Sequence, residues 1–177
     1  HILANNYKPL IVALEHSRVT YLFPHNEKWK SEFENVRDSI ISTYEGDIEI
    51  FHIGSTAIAG LYAKDCIDLL GVVKDISKVS TFKQSIIDLG FVYRGQNGII
   101  GREYFSKKYR KVHLHIFQSG DVNVEKHLHF VKVMKNNLAL IAELNQVKKG
   151  LHAKYPNDKE SYQKEKEFFY SHISKVL

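Results

Sequence analysis

The chain has 177 residues, 44% of them hydrophobic, enough for one domain with a sizeable core and too little for two independent cores. Its formal net charge of +5, from 25 Lys and Arg against 20 Asp and Glu, is mild and spread along the chain, which suits a phosphorylated small molecule at least as well as a polynucleotide. A single Cys, Cys66, excludes an intrachain disulfide; together with the absence of a bilayer-length apolar run or a signal-peptide pattern, it predicts a cytoplasmic protein.

In chain order, residues 1–18 read as an unassigned extension before a single domain over 19–177, with His1 a candidate tag remnant and Leu10 to Leu14 a candidate short helix. Val19 to Phe23 reads as an edge strand ending at Pro24. Trp29, Phe33, Val36, Ile40 and Tyr44 recur at three- and four-residue steps and predict a helix from about Glu27 to Tyr44 with one buried face. Trp29 is therefore read as core rather than as a stacking platform. Ile48, Ile50 and Ile53 predict a strand, Gly54-Ser55 a close turn opening a short helix to about Leu61, and Ile67 to Val73 a buried strand with Cys66 at its start.

Ser77 or Ser80 is placed to cap a helix running to Leu89, which Gly90 stops. Phe91 to Tyr93 begins a hairpin, Asn97-Gly98 supplies its turn, and Arg102 to Phe105 returns. Val112 to Phe117 is a further strand, with His113 and His115 on one face and Leu114 and Ile116 on the other. From about Val124 an apolar stripe through Leu128, Val131, Met134, Leu138, Ile141 and Leu144 predicts two helices, broken near Asn136-Asn137 and ended by Gly150. Asn157 with Glu160 has the spacing of a capping box for a last helix through Phe168, Phe169 and Ile173.

Four groups of residues can carry chemistry. A helix N-terminus at Gly54, Ser55 and Thr56 offers backbone N–H groups and small hydroxyls to an anion. Asp68 is an acid within an apolar run, costly unless it is paired or holds a metal; Lys64 or a helix end would satisfy it structurally. His113 and His115, one alternation apart, can reach one ion or one phosphate, can supply a general base, or can lie solvated on an open sheet face. Lys64, Arg94 and Arg102 suit phosphate neutralisation, whereas Lys107, Lys108, Arg110 and Lys111 read as ordinary surface charge. Tyr104 either packs in the core or stacks on a base.

The Gly-Ser turn, the spacer and the acid on the next strand resemble the nucleotidyltransferase superfamily signature. The longer string resembles the GrpB family, a group of nucleotidyltransferase-like proteins. It comprises His52-Ile53-Gly54-Ser55-Thr56-Ala57, Gly60-Leu61, Ala63-Lys64, Ile67-Asp68, Gly71-Val72, Tyr93-Arg94-Gly95, Asn97-Gly98-Ile99, Gly101-Arg102, Tyr104-Phe105, His113-Leu114-His115 and His127-Leu128, in a match from about Tyr21 to the C-terminus. The resemblance implies an α/β (α+β) fold with a mixed sheet flanked by helices, which binds a nucleoside triphosphate and a divalent metal and transfers a nucleotidyl group to a small acceptor.

On that reading Asp68, His113 and His115 are the catalytic and metal-binding residues. Gly54, Ser55, Thr56, Lys64, Arg94 and Arg102 bind the nucleotide phosphates, with His52, Asn97, Tyr104 and His127 as accessory residues. The ion implied is Mg²⁺ or Mn²⁺; a mixed nitrogen and oxygen donor set also admits Zn²⁺ and Fe²⁺.

The chain departs from the superfamily pattern in one place, a trait that GrpB sequences tend to share, and from the GrpB pattern in three. Leu70 stands where the superfamily has a second acid, and Phe51 stands where Glu is expected, with Glu49 on the same strand face a candidate substitute. Ile58-Ala59 replaces Val-Pro, and Asp65-Cys66 replaces a Pro before the strand. Two alternatives follow: a catalytically inactive nucleotide- or metabolite-binding module, and a metal-dependent hydrolase using the His-x-His strand. A nucleic-acid partner is not expected, because aromatic and basic residues do not alternate on one platform.

Overall fold

The computed structural model describes residues 21–107 and 109–176. The candidate helix at Leu10 to Leu14, the start of the expected first strand at Val19 and Thr20, and Lys108 lie outside them. The elements are α1 (Lys28–Thr43), β1 (Glu49–Ile53), β2 (Ile67–Val73), α2 (Val79–Ile87), β3 (Phe91–Tyr93), β4 (Glu103–Lys107), β5 (Val112–Gln118), α3 (Val122–Lys135), α4 (Leu138–Lys154) and α5 (Lys159–Val176). The five strands form a mixed α+β sheet in the order β1-β2-β5-β4-β3. Only the central β2–β5 pair is parallel; β1–β2, β5–β4 and β4–β3 are antiparallel.

Strand alternation separates two cores. Ile67, Leu69, Val73, Val112, Leu114 and Ile116 face one side and pack with Trp29, Phe33 and Ile40 of α1 and Val79 and Ile86 of α2. Leu70 and Phe117 face the other side, where they meet Ile53 and Val124. A third cluster joins Ile58 and Leu61 to Met134, Ile141 and Leu144. Trp29 is 1% exposed and belongs to the core, as its spacing predicts, and its indole N–H donates to Asp65 at 2.8 Å. Gly71 faces the α1 and α2 core, where a Cβ would stand only 3.0 Å from Ile116 and 3.1 Å from Ile48, so a side chain there displaces that core.

Several local expectations are corrected. The helix expected over Ser55 to Leu61 is a single 3₁₀ turn, Ser55–Ala57, after which Ile58 turns extended and Gly60 takes φ 83. Burial of Ile58 and Leu61, both 0% exposed, against α3 and α4 pulls the chain out of the helix. The expected edge strand near Tyr21 to Phe23 is an isolated bridge from Phe23 to Ala63 among the described residues.

Asp75, not Ser77 or Ser80, caps the turn that leads into α2, accepting the Ser77 amide at 3.0 Å. Asp158, not Asn157, caps α5, accepting the Ser161 amide at 3.0 Å. Gly150 lies within α4, which continues to Lys154. The break between α3 and α4 is as read, and Asn137 caps α4 by accepting the Leu140 amide at 2.9 Å. Among the described residues no helix is long and apolar enough to cross a membrane.

Trp29→Ala removes the largest side chain of the α1 core together with its hydrogen bond. Urea denaturation is expected to show a loss of about 3–5 kcal/mol, and a loss below about 1 kcal/mol would contradict the packing described here.

Candidate functional site

Parallel pairing of β2 with β5 puts Asp68 opposite His113 and Leu70 opposite His115. Antiparallel pairing with β1 puts Ile53 opposite Asp68, so the next residue, Gly54, passes over the carboxylate. Gly54 has φ 73 and ψ −173, a conformation that side chains avoid, and a Cβ built on it would stand 3.0 Å from Asp68 Oδ2. Glycine is required here both by backbone conformation and by close approach.

Asp68 Oδ1 lies 3.3 Å from His115 Nε2 and 3.4 Å from His113 Nδ1. Burial disfavours the charged carboxylate, but hydrogen bonding from His113 and then His115 outweighs it and holds the Asp68 pKa at about 2. The partner of Asp68 is thus the imidazole pair, and neither Lys64 nor a helix end satisfies it. Cys66, half-buried one residue before β2, brings its Sγ to 3.7 Å from His113 Nδ1. Burial, then the Asp68 charge, push the Cys66 thiol up to about 12.

Asp68 and His113 open into a cavity of about 370 Å³ lined also by Ser55, Lys64, Lys111, Lys148, Tyr162 and Lys166. Asp68 is the sole acid on that lining, and none of the four lysines makes an ion pair among the described residues. Lys148 is 1% exposed; its Nζ donates to Ser55 Oγ and to the Tyr62 carbonyl, each at 2.7 Å. Burial lowers its pKa well below the ordinary lysine value, and neighbouring Lys166 and Lys64 add to the effect. Lys64 is lowered by burial and by Lys159 and Lys111, and Lys166 is lowered by burial and Lys64 to about 8. The Tyr162 hydroxyl, in the same lining, is buried with no hydrogen-bond partner among the described residues.

The remaining candidates are distributed around this centre. Arg102, 6% exposed, spends its guanidinium within the protein: Nε donates to the Gln96 carbonyl, Nη2 to the Asn97 carbonyl, and Nη1 lies 3.2 Å from His115 Nδ1. Asn97 takes φ 46 and Gly98 φ 87 in a tight turn closed by the Ile99 amide on the Gln96 carbonyl at 3.2 Å, inside the longer loop that joins β3 to β4, and the Asn97 carbonyl anchors Arg102. Tyr104 lies beneath the Arg102 guanidinium, 4.4 Å from it, and against the His115 ring at 5.1 Å. Arg94 is exposed and donates to Ser106 Oγ at 2.6 Å.

His127, on α3, stands 5.8 Å from the His115 ring; burial, then the His115 charge, lower its pKa to about 4. It lines a second cavity of about 770 Å³ that shares Ser55 with the first. His52 leans away from the group, stacked on Phe33 at 4.6 Å and hydrogen-bonded to Thr56 Oγ1 at 3.0 Å.

Three features escaped the sequence reading. Cys66 stands two residues before Asp68, an alternation that was legible as a shared strand face. Lys148 follows Ile141 and Leu144 on the buried stripe of α4, where a lysine signals an internal cation. Lys111, read as surface charge, lines the cavity, whereas Arg110 is occupied by Glu32 and Asp65. The family departures also resolve into one structure. Phe51 pairs directly across from Leu70, and Leu70 is fully buried, so an apolar cross-strand pair fills the place where acids are expected. Glu49 pairs with Val72 at the far end of β1 and cannot substitute.

A family model described as GrpB protein matches residues 20–175. The chain is 33% identical over 162 residues to glutamate-rich protein GrpB of Alkalihalophilus pseudofirmus, covering 86% of this chain and 92% of that one. It is 34% identical over 141 residues to UPF0157 protein YqkA of Bacillus subtilis, covering 78% of this chain but only 41% of YqkA. Among solved structures it superposes on the conserved protein GrpB from Enterococcus faecalis with a TM-score of 0.82 at 28% identity, covering 88% of this chain and 95% of that one. It also superposes on the Cid1 poly(U) polymerase in its MgGTP-bound form with a TM-score of 0.52 at 16% identity, covering 78% of this chain and 46% of that one. That likeness establishes a nucleotidyltransferase-like fold.

Two outcomes are expected. Gly54→Ala forces a Cβ toward Asp68 and is expected to cost about 1–3 kcal/mol in urea denaturation; an unchanged midpoint would contradict the close approach. His52, with its pKa lowered by burial from 6.5 to about 4, takes up its proton in the unfolded chain first. It therefore costs nothing above pH 6.5 and destabilises the fold progressively as pH falls from 6.5 to about 4. His52→Gln is expected to lose less stability than the parent between pH 7 and pH 5, and equal losses would refute this assignment.

Proposed function

Because the chain belongs to the GrpB family and shares the nucleotidyltransferase-like fold, we propose that it binds a nucleoside triphosphate and transfers its nucleotidyl group to a small acceptor. The observation that carries this reading is the convergence of Ser55 and Thr56 of the turn, Asp68, and four lysines without ion-pair partners among the described residues on one cavity. Four lysines face one carboxylate, and the negative charge of a triphosphate tail would favour their charged forms. Ser55 lines this cavity, and Lys148 holds its hydroxyl in one orientation.

Asp68 and His113 are the cavity groups suited to a divalent ion, and their oxygen and nitrogen donors fit one. When bound, such an ion neutralises phosphate oxygens and polarises the attacked phosphorus. His115 and Arg102 back Asp68 from behind, and Thr56 and His52 brace the turn. The acceptor hydroxyl gives up its proton to solvent and its oxygen bonds to the α-phosphorus, as the bond from that phosphorus to the oxygen bridging to the β-phosphate breaks and pyrophosphate leaves.

The apolar Phe51–Leu70 pair favours a second reading, a module that binds nucleotide without transferring it. Pyrophosphate release separates the two.

Isothermal titration of ATP, GTP, CTP and UTP is expected to show saturable binding by at least one. Lys148→Met, which keeps length and apolar bulk, is expected to weaken it about 10-fold or more by removing a charged hydrogen-bond donor. Absence of saturable binding by all four nucleotides, with Mg²⁺ or Mn²⁺, would remove the assignment.

A further inference from the structure

The geometry points to Cys66, Asp68 and His113 as a three-ligand site for one thiophilic divalent transition ion of the zinc class, with His115 held outside the coordination sphere. Cys66 and Asp68 alternate along one extended segment and His113 pairs with Asp68 on the neighbouring parallel strand, so all three project from one sheet face. Sγ lies 3.7 Å from His113 Nδ1, Nδ1 lies 3.4 Å from Asp68 Oδ1, and the three ligand atoms all lie within 4.8 Å of one another. Bond lengths of about 2.0–2.3 Å around a tetrahedral ion place its ligand atoms about 3.3–3.8 Å apart. The two measured edges already meet that condition, and the fourth position opens on the lysine-lined cavity.

His115 is set apart by its tautomer. Arginine carries donors only, so His115 Nδ1, 3.2 Å from Arg102 Nη1, accepts. The His115 proton therefore sits on Nε2, which faces Asp68 Oδ1 at 3.3 Å and donates to it. A nitrogen that donates a proton to the carboxylate has no lone pair for an ion. His115 is thus a positioning residue for Asp68, and Arg102, tied to the Gln96 and Asn97 carbonyls, fixes the positioner. The donor set is one sulfur, one nitrogen and one carboxylate, with Leu70 filling the neighbouring position. Mg²⁺ takes oxygen ligands in octahedral array, whereas zinc-class ions take this mixed set.

The proposal rests on the reading of this cavity as the functional site, but its test uses no nucleotide. Metal-free full chain is titrated with Co²⁺ and followed by absorption. Thiolate ligation is expected to give a sulfur-to-metal charge-transfer band that saturates at about one ion per chain and is bleached by Zn²⁺ but not by Mg²⁺. Cys66→Ala and Cys66→Ser are expected to abolish the band, and Asp68→Asn and His113→Gln to weaken Co²⁺ binding at least about 10-fold. His115→Gln is expected to keep the band and the stoichiometry while weakening binding about 10–100-fold.

A Co²⁺ spectrum identical in the parent and both Cys66 variants, loss of the band in His115→Gln, or no saturable Co²⁺ binding would each overturn the proposal. A chain that binds Co²⁺ through Cys66 but no nucleotide loses the transferase reading alone. A chain that binds nucleotide with Mg²⁺ and shows no thiolate band loses this one alone.

Discussion

A carboxylate inserted into an otherwise apolar central strand has to find compensation, and the pairing of β2 with β5 supplies it. Asp68 would be a costly burial if β2 stood alone. Parallel register brings His113 beside it and His115 one alternation further along, and their hydrogen bonds outweigh the desolvation of the charge. The same register fixes what lies above the carboxylate, because β1 hands the chain to Gly54 directly over Asp68 Oδ2. Removing the acid would leave two imidazoles facing a void, and removing the glycine would press a side chain onto the acid. The hairpin turn at Asn97-Gly98 takes part as well, since its carbonyl holds the arginine that fixes His115.

Around this acid the molecule has concentrated lysines that make no ion pair among the described residues. Lys148 is the extreme case, an internal ammonium whose visible partners are a serine hydroxyl and a backbone carbonyl. Burying cations next to one another costs stability, and the lowered pKa values of Lys64, Lys148 and Lys166 register that cost. A bound anion would offset that cost, the premise of the proposed nucleotide binding. The Phe51–Leu70 pair works in the opposite sense, since it turns the adjacent strand positions into packing surface and leaves Asp68 as the sole acid of the lining. Two of the positions where acids are expected, Phe51 and Leu70, are thus the two sides of a single cross-strand contact.

Much of the scaffold was legible in the residues. The three- and four-residue steps of Trp29, Phe33 and Ile40 give α1, the alternation of His113 and His115 with Leu114 and Ile116 gives β5, and Asn97-Gly98 gives the hairpin, because each is a local period or a local φ requirement. Capping was less legible. Asp75 and Asp158 outcompete neighbouring Ser and Asn residues through hydrogen bonds that depend on where the helix begins, and that boundary shifts by a residue or two with packing. Gly150 did not end α4, and the segment after Ser55 did not continue as helix. In the second case the decision fell to Ile58 and Leu61, whose burial against α3 and α4 has no counterpart in the local sequence.

The sequence by itself determined most of the strands and helices, the Gly-Ser turn, the buried acid and the histidine alternation, because backbone preference and hydrophobic period act within a few residues. Only the tertiary structure decided which groups share a cavity. Ser55 and Lys148 are 93 positions apart and Asp68 and His115 are 47 apart, and such contacts arise from strand order and helix docking rather than from any local pattern. The direction of each Arg102 donor, and through it the proton position on His115, is likewise a property of the assembled hairpin and sheet.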